Sequence, residues 1–138
     1  MTGAEPIWIE EIDVLALHDR LLAFHGGAAG VRDDGLLKSA LARARQLFAY
    51  GDRADWIDMA SAYTAGVVKN HPFLDGNKRT GFVVGILFLE LNGYRFTATE
   101  AAAAEAVLAL AAGRSIDADY TAFLRENVMP EGLEAERV

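Results

Sequence analysis

The segment Gly81–Leu89 is uncharged and apolar over nine consecutive residues, which is far fewer than the roughly 20 that a membrane span needs. Its flanks favour a helix that begins near Lys78 and ends at Asn92, with Gly93 in the position that commonly terminates helices. Because this helix is apolar on every side, other helices must enclose it. The sequence therefore predicts a buried central helix and no membrane association.

Apolar spacing and capping signals predict five more helices around the central one. These helices cover about residues 9–25, 36–48 (with Asp33 or Asp34 as N-cap), 56–70, 97–113 (with Thr97 and Glu100 as a capping box) and 118–129. Residues 94–97 are compatible with a short extended piece, but nothing else favours a sheet. We therefore predict an all-α bundle of about six helices.

Composition narrows the classes of protein that this chain can represent. Its 138 residues suit a single domain over 1–138, and 52% hydrophobic residues supply a core and exclude general disorder. The absence of cysteine excludes a disulfide scaffold, thiolate metal sites and cysteine catalysis. No secretory signal is visible at the start, so we expect a cytoplasmic protein. The net charge of −7 predicts no direct binding of nucleic acid, although a nucleotide can bind where basic residues converge.

One segment, 71–81, combines the residue types of a phosphate-handling site. A loop with a glycine leads into a helix whose first turn carries Lys78 and Arg79, and the free amides and dipole of such a helix start bind anions. Asp75 precedes that turn, and one carboxylate with phosphate oxygens is a common way to hold Mg²⁺. His71 is able to exchange a proton near neutral pH. Together these residues predict phosphoryl or nucleotidyl transfer.

Each of these residues also has a purely structural interpretation. His71 can be an ordinary loop residue, Asp75 or Asn77 can cap the helix, and Lys78 and Arg79 can be solvated charges. Their convergence at the start of a buried helix favours a functional site over four separate coincidences.

Three further residues are not assigned to this predicted site. His18 and His25 lie seven residues apart on one face of the first predicted helix, and neither has a histidine or carboxylate four residues on, so no metal role is predicted. Lys69 lies two residues before His71, and the sequence leaves open whether it reaches the phosphates or only stabilises the loop.

The segment resembles the signature HxFx(D/E)(G/A)N(G/K)R of the Fic/Doc family. Seven of its residues match: His71, Phe73, Asp75, Gly76, Asn77, Lys78 and Arg79. The flanking segments 26–33 and 36–41 are similar to the Doc subfamily, which is named for death on curing. The resemblance covers a core of about residues 8–126, and we expect the tail at 130–138 to be flexible.

The resemblance implies a Fic-fold helical bundle that uses ATP and Mg²⁺ to modify a protein hydroxyl. His71 is then the base, Asp75 the Mg²⁺ ligand, and Asn77 and Arg79 bind phosphates. The backbone amides of Gly76 to Lys78 line the anion hole. Phe73 is expected to anchor the loop in the core.

Two positions point to the subclass. Adenylyl-transferring members resemble HPFxxGNGRxxR, with glycine where this chain has Lys78 and a second arginine where it has Phe82. Both changes resemble Doc toxins, protein kinases that transfer the γ-phosphate to translation elongation factor Tu and halt translation. The alternatives are an adenylyltransferase that tolerates Lys78 and a catalytically silent Fic-fold binding protein.

The resemblance also implies a protein partner. Many Fic enzymes carry an inhibitory motif [S/T]xxxE[G/N], which this sequence lacks: Ser115 is followed by Asp119 at the glutamate position, and Thr121 is one residue too far from Glu126. Doc toxins are instead neutralised by a small antitoxin whose disordered tail folds onto the toxin. We therefore expect a hydrophobic groove near the first and fourth helices that accepts an amphipathic antitoxin helix.

Overall fold

The computed structural model describes residues 4–51 and 53–131. Over these residues the chain forms six α-helices and two short strands: α1 (Glu11–His25), α2 (Asp34–Tyr50), α3 (Trp56–Asn70), α4 (Asn77–Leu91), β1 (Tyr94–Phe96), α5 (Glu100–Ala111), α6 (Asp117–Glu126) and β2 (Val128–Pro130). The predicted all-α bundle of about six helices is confirmed. None of the described helices is both long and apolar enough to cross a bilayer. Of the tail predicted to be flexible, residues 132–138 lie outside the described part of the chain.

The helix α3 is the most enclosed element of the bundle. Ten of its fifteen residues are buried, against seven of fifteen in α4. The predicted central helix, α4, lies along α3 and buries one face there, while Phe82, Val83, Ile86 and Leu87 remain only half-buried. The apolar surface of α4 therefore covers the core on one side and lines a cleft on the other.

Glycines allow α4 to approach α3 closely. A Cβ added at Gly85 would lie 2.4 Å from Thr64 Oγ1 and 2.9 Å from the carbonyl oxygen of Ala60. The Thr64 hydroxyl also donates to the carbonyl oxygen of Gly81, one turn earlier on α4, over 2.8 Å. Any larger residue at Gly85 would force the two helices apart, because the distances from its Cβ to Thr64 and Ala60 would be shorter than van der Waals contact.

Two local features differ from the sequence prediction. The N-cap of α5 is Thr99, whose hydroxyl accepts from the backbone N–H of Ala102, and not Thr97. The predicted sixth helix, 118–129, ends earlier, at Glu126, and the residues that follow form β2. This strand pairs antiparallel with β1, so that Arg95 faces Met129. The pairing joins residues more than 30 positions apart, so no local pattern in the sequence indicates it.

The first and last described segments meet at the turn that follows α4. The side chain of Asn92 accepts from the backbone N–H of Ile7 over 2.7 Å and donates to its carbonyl oxygen over 3.0 Å. The backbone N–H of Glu131 donates to the carbonyl oxygen of Gly93 over 2.9 Å. This turn therefore lies at the opposite end of α4 from the segment 71–76.

Candidate active site

The loop 71–76 connects α3 to α4, and we call it the site loop. It begins at His71, which caps the C-terminus of α3 with φ 52° and ψ 54°. This left-handed conformation is uncommon for a residue other than glycine. The guanidinium of Arg32 holds it in place, because Nε donates to the carbonyl oxygen of His71 over 2.7 Å and Nη2 to that of Asn70 over 3.0 Å.

The segment 30–33, which precedes α2, lies alongside the site loop. Val31 and Phe73 form an antiparallel bridge. The backbone N–H of Arg32 donates to the carbonyl oxygen of Pro72 over 2.6 Å, and the N–H of Leu74 donates to that of Gly30 over 3.1 Å. These bonds satisfy the polar backbone of the loop and fix its path across the end of α3.

Phe73 anchors the loop in the core, as the sequence predicted, and is only 1% exposed. Its ring stacks on His18 of α1 with a centroid distance of 3.7 Å and an angle of 10° between the planes. Asn77 holds the backbone of Phe73 from the other side: Oδ1 accepts from its N–H and Nδ2 donates to its carbonyl oxygen, both over 3.0 Å. The side chain of Asn77 is thus buried within the loop and turned away from solvent.

The same amide of Asn77 contacts the exposed ring of His71. The two bonds to Phe73 fix which atom of the amide is nitrogen, and this nitrogen lies 3.2 Å from His71 Nδ1. Because an amide nitrogen only donates, Nδ1 is the acceptor and the neutral ring carries its proton on Nε2. The distance lies at the long end of the hydrogen-bonding range, so the contact is weak.

Asp75 is exposed, and both oxygens of its carboxylate are held by backbone N–H groups. Oδ1 accepts from the N–H of Gly76 over 2.9 Å, and Oδ2 accepts from the N–H of Ala28 over 3.2 Å. A Cβ at Gly27, where φ is +125°, would lie 2.8 Å from Oδ2, so only glycine allows this approach. Two bonds leave part of the acceptor capacity of the carboxylate free, which fits one bond to a cation.

A metal held only by protein side chains does not fit this site. In the part of the chain that the structure describes, no three histidine, aspartate or glutamate residues converge. The donor set around Asp75 fits instead a Mg²⁺ ion that takes one carboxylate oxygen and completes its shell with phosphate oxygens and water.

The N-terminus of α4 lies next to Asp75. Gly76 is the N-cap in a left-handed conformation, and no side chain caps the first turn. Lys78 and Arg79 are exposed on that turn. Unpaired helix amides, the helix dipole and two cations are together able to bind an anion, and the residue types predict such a site at this place.

A cleft of about 700 Å³ extends from this anion site between α1, α4 and α5. Its polar end contains Asp75, Gly76, Asn77, Lys78 and Arg79, so the cleft brings together all the predicted site residues except His71, which precedes them on the same loop. Its apolar end is lined by Phe82, Val83, Phe96, Ala103, Ala104, Val107 and Leu108. The cleft thus joins a charged end to an apolar end.

Phe82, which replaces the second arginine of adenylyl-transferring members, belongs to the apolar end. Its ring packs edge-on against Phe96 of β1, with centroids 5.5 Å apart. At this position the cleft therefore presents an aromatic surface where those members carry a guanidinium.

Sequence reasoning did not identify three residues that hold the site in shape. Arg32 lies 39 residues before His71, and Ala28 and His18 lie 47 and 57 residues before Asp75. The only signal for His18 was its place four residues after the buried Val14 on the helical face of α1. Lys69, whose role was open, forms an ion pair with Asp117 of α6.

Comparison of the sequence with known proteins shows the family of this chain. The sequence profile of the Fic/DOC family matches residues 8–89. The chain is similar to "Protein kinase doc" of Escherichia phage P1, with 32% identity over 81 residues, and to "Toxin Doc" of Mycolicibacterium smegmatis, with 39% identity over 94 residues. These matches cover 59% and 66% of this chain and 64% and 68% of the relatives, so the chain spans about two thirds of their length. The protein belongs to the Fic/DOC family.

Proposed function

We propose that this protein is a Doc-like toxin: an ATP- and Mg²⁺-dependent transferase that phosphorylates a hydroxyl group of a target protein. One observation carries the proposal, namely that a fixed carboxylate and an uncapped helix start with two cations meet at the charged end of one cleft, and that His71 lies on the same loop, in contact with Asn77. These are the groups that phosphoryl transfer requires: a base, a Mg²⁺ ligand and a phosphate cradle.

The phosphates of ATP bind at the start of α4. The backbone N–H groups of Asn77 and Lys78 and the side chains of Lys78 and Arg79 face them, whereas the N–H of Gly76, which the resemblance also assigns to the anion hole, already donates to Asp75 Oδ1. Asn77 contributes its backbone N–H, because its side chain is already bonded to Phe73 and His71. Asp75 would hold the Mg²⁺ ion, which neutralises phosphate charge when bound.

His71 acts as the general base. The hydroxyl oxygen of the target attacks the γ-phosphorus, ADP leaves, and the hydroxyl proton passes to the imidazole. If Nδ1 accepts this proton, the hydroxyl must first displace the amide of Asn77. If Nε2 accepts it, the ring must change tautomer, and its Nδ1–H would then face the N–H of Asn77. By either route the 3.2 Å contact between Asn77 and His71 opens before the proton moves.

Two residues favour γ-phosphate transfer over adenylyl transfer. Lys78 replaces the glycine of adenylyl-transferring members and adds a positive charge at the anion hole. Phe82 removes a forked phosphate ligand, and its ring, packed on Phe96, presents an apolar surface at that position. Transfer of AMP is the second candidate, and a silent nucleotide-binding protein is the third.

The target and the partner follow from the same resemblance. We propose elongation factor Tu as the target, which places the activity in the cytoplasm. We propose a cognate antitoxin as the partner, with an amphipathic tail that occupies the apolar end of the cleft. The half-buried Phe82 and Val83 of α4 and the residues of α5 provide the apolar surface that such a helix requires.

The proposal is tested by incubating the protein and purified elongation factor Tu with Mg²⁺ and ATP labelled at either the α or the γ position. We expect label on the target from γ-labelled ATP only. The variant His71→Ala should lower the rate of transfer by about 10²–10⁴-fold, because it removes the general base. Its melting temperature should stay close to that of the wild type, because His71 is exposed. Label from the α position would establish adenylyl transfer, and no label from either position would favour the silent protein.

The partner is tested by expressing the chain alone and together with the small gene encoded next to it. We expect growth arrest only without that gene, and binding of its product with a negative change in heat capacity, since apolar surface is buried. The variant Val83→Glu places a charge in the apolar end and should weaken binding. Normal growth of cells that express the chain alone would contradict the toxin proposal.

A further inference from the structure

His18 of α1 lies directly beneath the site loop. It is 2% exposed, its ring stacks on Phe73, and its Nε2 lies 2.8 Å from the backbone carbonyl oxygen of Asp75. A carbonyl oxygen only accepts, so Nε2 carries a proton and donates it. His18 thus combines an apolar contact with one directed hydrogen bond.

That hydrogen bond determines the orientation of the peptide group between Asp75 and Gly76. The peptide is trans, so its carbonyl and its N–H point in opposite directions. With the carbonyl directed inward to His18, the N–H of Gly76 is directed outward to Oδ1 of the Asp75 carboxylate. The Gly76 N–H therefore holds the proposed Mg²⁺-binding carboxylate at the edge of the anion site.

Gly76 is the residue at which this peptide is free to turn. Its φ is +79°, a region that glycine enters at little cost. A Cβ at Gly76 would lie 3.7 Å from His18 Nε2, so the imidazole packs directly under the turn. Without a donor at this place, nothing else among the described contacts holds the carbonyl of Asp75 inward.

We infer that His18 is a positioning residue for the proposed reaction: its Nε2–H fixes the Asp75–Gly76 peptide, so that the Gly76 N–H points to Oδ1 and orients the Mg²⁺-binding carboxylate. His18 does not touch the reacting atoms. The inference rests on the proposed function for its effect on activity, but the orientation of the peptide is a structural claim that stands apart from it.

Two variants separate the hydrogen bond from the ring stack. His18→Phe keeps an aromatic ring against Phe73 and removes the donor. His18→Gln removes the ring and places an amide N–H near the position of Nε2. Val14→Ala, at a buried position one turn earlier on α1, is the control for a general loss of packing.

The readouts are the ¹H–¹⁵N signal of the Gly76 amide and the affinity for ATP with Mg²⁺, measured by calorimetry. We expect His18→Phe to remain folded and to shift or broaden the Gly76 signal. It should bind Mg²⁺ and ATP about 10–100-fold more weakly, because the loss of a group that orients a metal ligand usually lowers metal affinity by this factor. His18→Gln should restore both readouts to within about threefold of the wild type on the same scale. Val14→Ala should change neither readout, although it lowers the melting temperature.

Three results would overturn the inference. The first is a Gly76 signal and an affinity in His18→Phe equal to those of the wild type. The second is a failure of His18→Gln to restore the signal while it remains folded, since the stack and not the donor would then matter. The third is an equal loss in Val14→Ala. If the wild type transfers no phosphate but His18→Phe still displaces the Gly76 signal, the proposed function fails and the positioning role stands.

Discussion

Replacement of Phe73 by alanine tests whether the site loop is anchored through its aromatic ring. The ring is 1% exposed and stacks on His18 at 3.7 Å, so the change deletes a fully packed side chain. Removal of a large apolar side chain from water is worth about 1.5–3 kcal/mol. The cavity left behind raises the total to about 3–5 kcal/mol, because the surrounding helices relax only partly.

This loss is large enough to be measured by thermal unfolding. For a chain of this length each kcal/mol lowers the melting temperature by about 3–5 °C, so Phe73→Ala should lower it by roughly 10–20 °C. Phe73→Leu fills most of the space and is the matched control, with an expected loss of about 1.5 kcal/mol or less. A melting temperature of Phe73→Ala equal to that of the wild type would refute the assignment of Phe73 as the anchor.

Three further changes probe the Mg²⁺ ligand, the helix contact and the pH dependence. Asp75→Asn should raise the Mg²⁺ concentration needed for half-maximal transfer and lower turnover; an unchanged titration with Mg²⁺ would remove Asp75 from the site. Gly85→Ala should lower the free energy of unfolding by about 1–3 kcal/mol, because its Cβ would meet Thr64 at 2.4 Å, and a wild-type denaturation curve would contradict that close contact. Burial raises the pKa of Asp55, but hydrogen bonds from Arg125 and the N–H of Asp58 outweigh burial and leave this pKa below 3.8. The contribution of the Asp55 carboxylate to stability is therefore present above pH 3.8 and disappears as the pH falls through its lowered pKa. The free energy of unfolding of the wild type should consequently fall more in acid than that of Asp55→Asn. Parallel curves of unfolding free energy against pH for the two proteins would contradict this.

The helices could be predicted because their signals are local. The predicted helix 56–70 matches α3 at both ends, and the structure shows local causes for both: Asp55 caps its start, and Pro72 follows its end. Phe73 was predicted as an anchor from the family signature. Those signals lie within a few residues of the feature they predict.

The features that the sequence did not reveal depend on distant partners. The strand β2 exists because Val128–Pro130 finds β1, more than 30 residues earlier. The burial of the Asn77 side chain depends on how the site loop folds back over the end of α3. His18 looked like an isolated histidine because its partner, the carbonyl of Asp75, is a backbone group that every residue carries.

The meeting of the first and last described segments at Asn92 and Gly93 has a practical consequence for protein engineering. That turn is separated from the site loop by the fifteen residues of α4, which is a distance of about 22 Å. A fluorophore, an affinity tag or a surface linker attached before Ile7 or after Glu131 would therefore stay clear of His71 and of the charged end of the cleft. The same proximity makes a circular permutant feasible, in which a short peptide joins the two segments and new ends open at the exposed turn between α5 and α6.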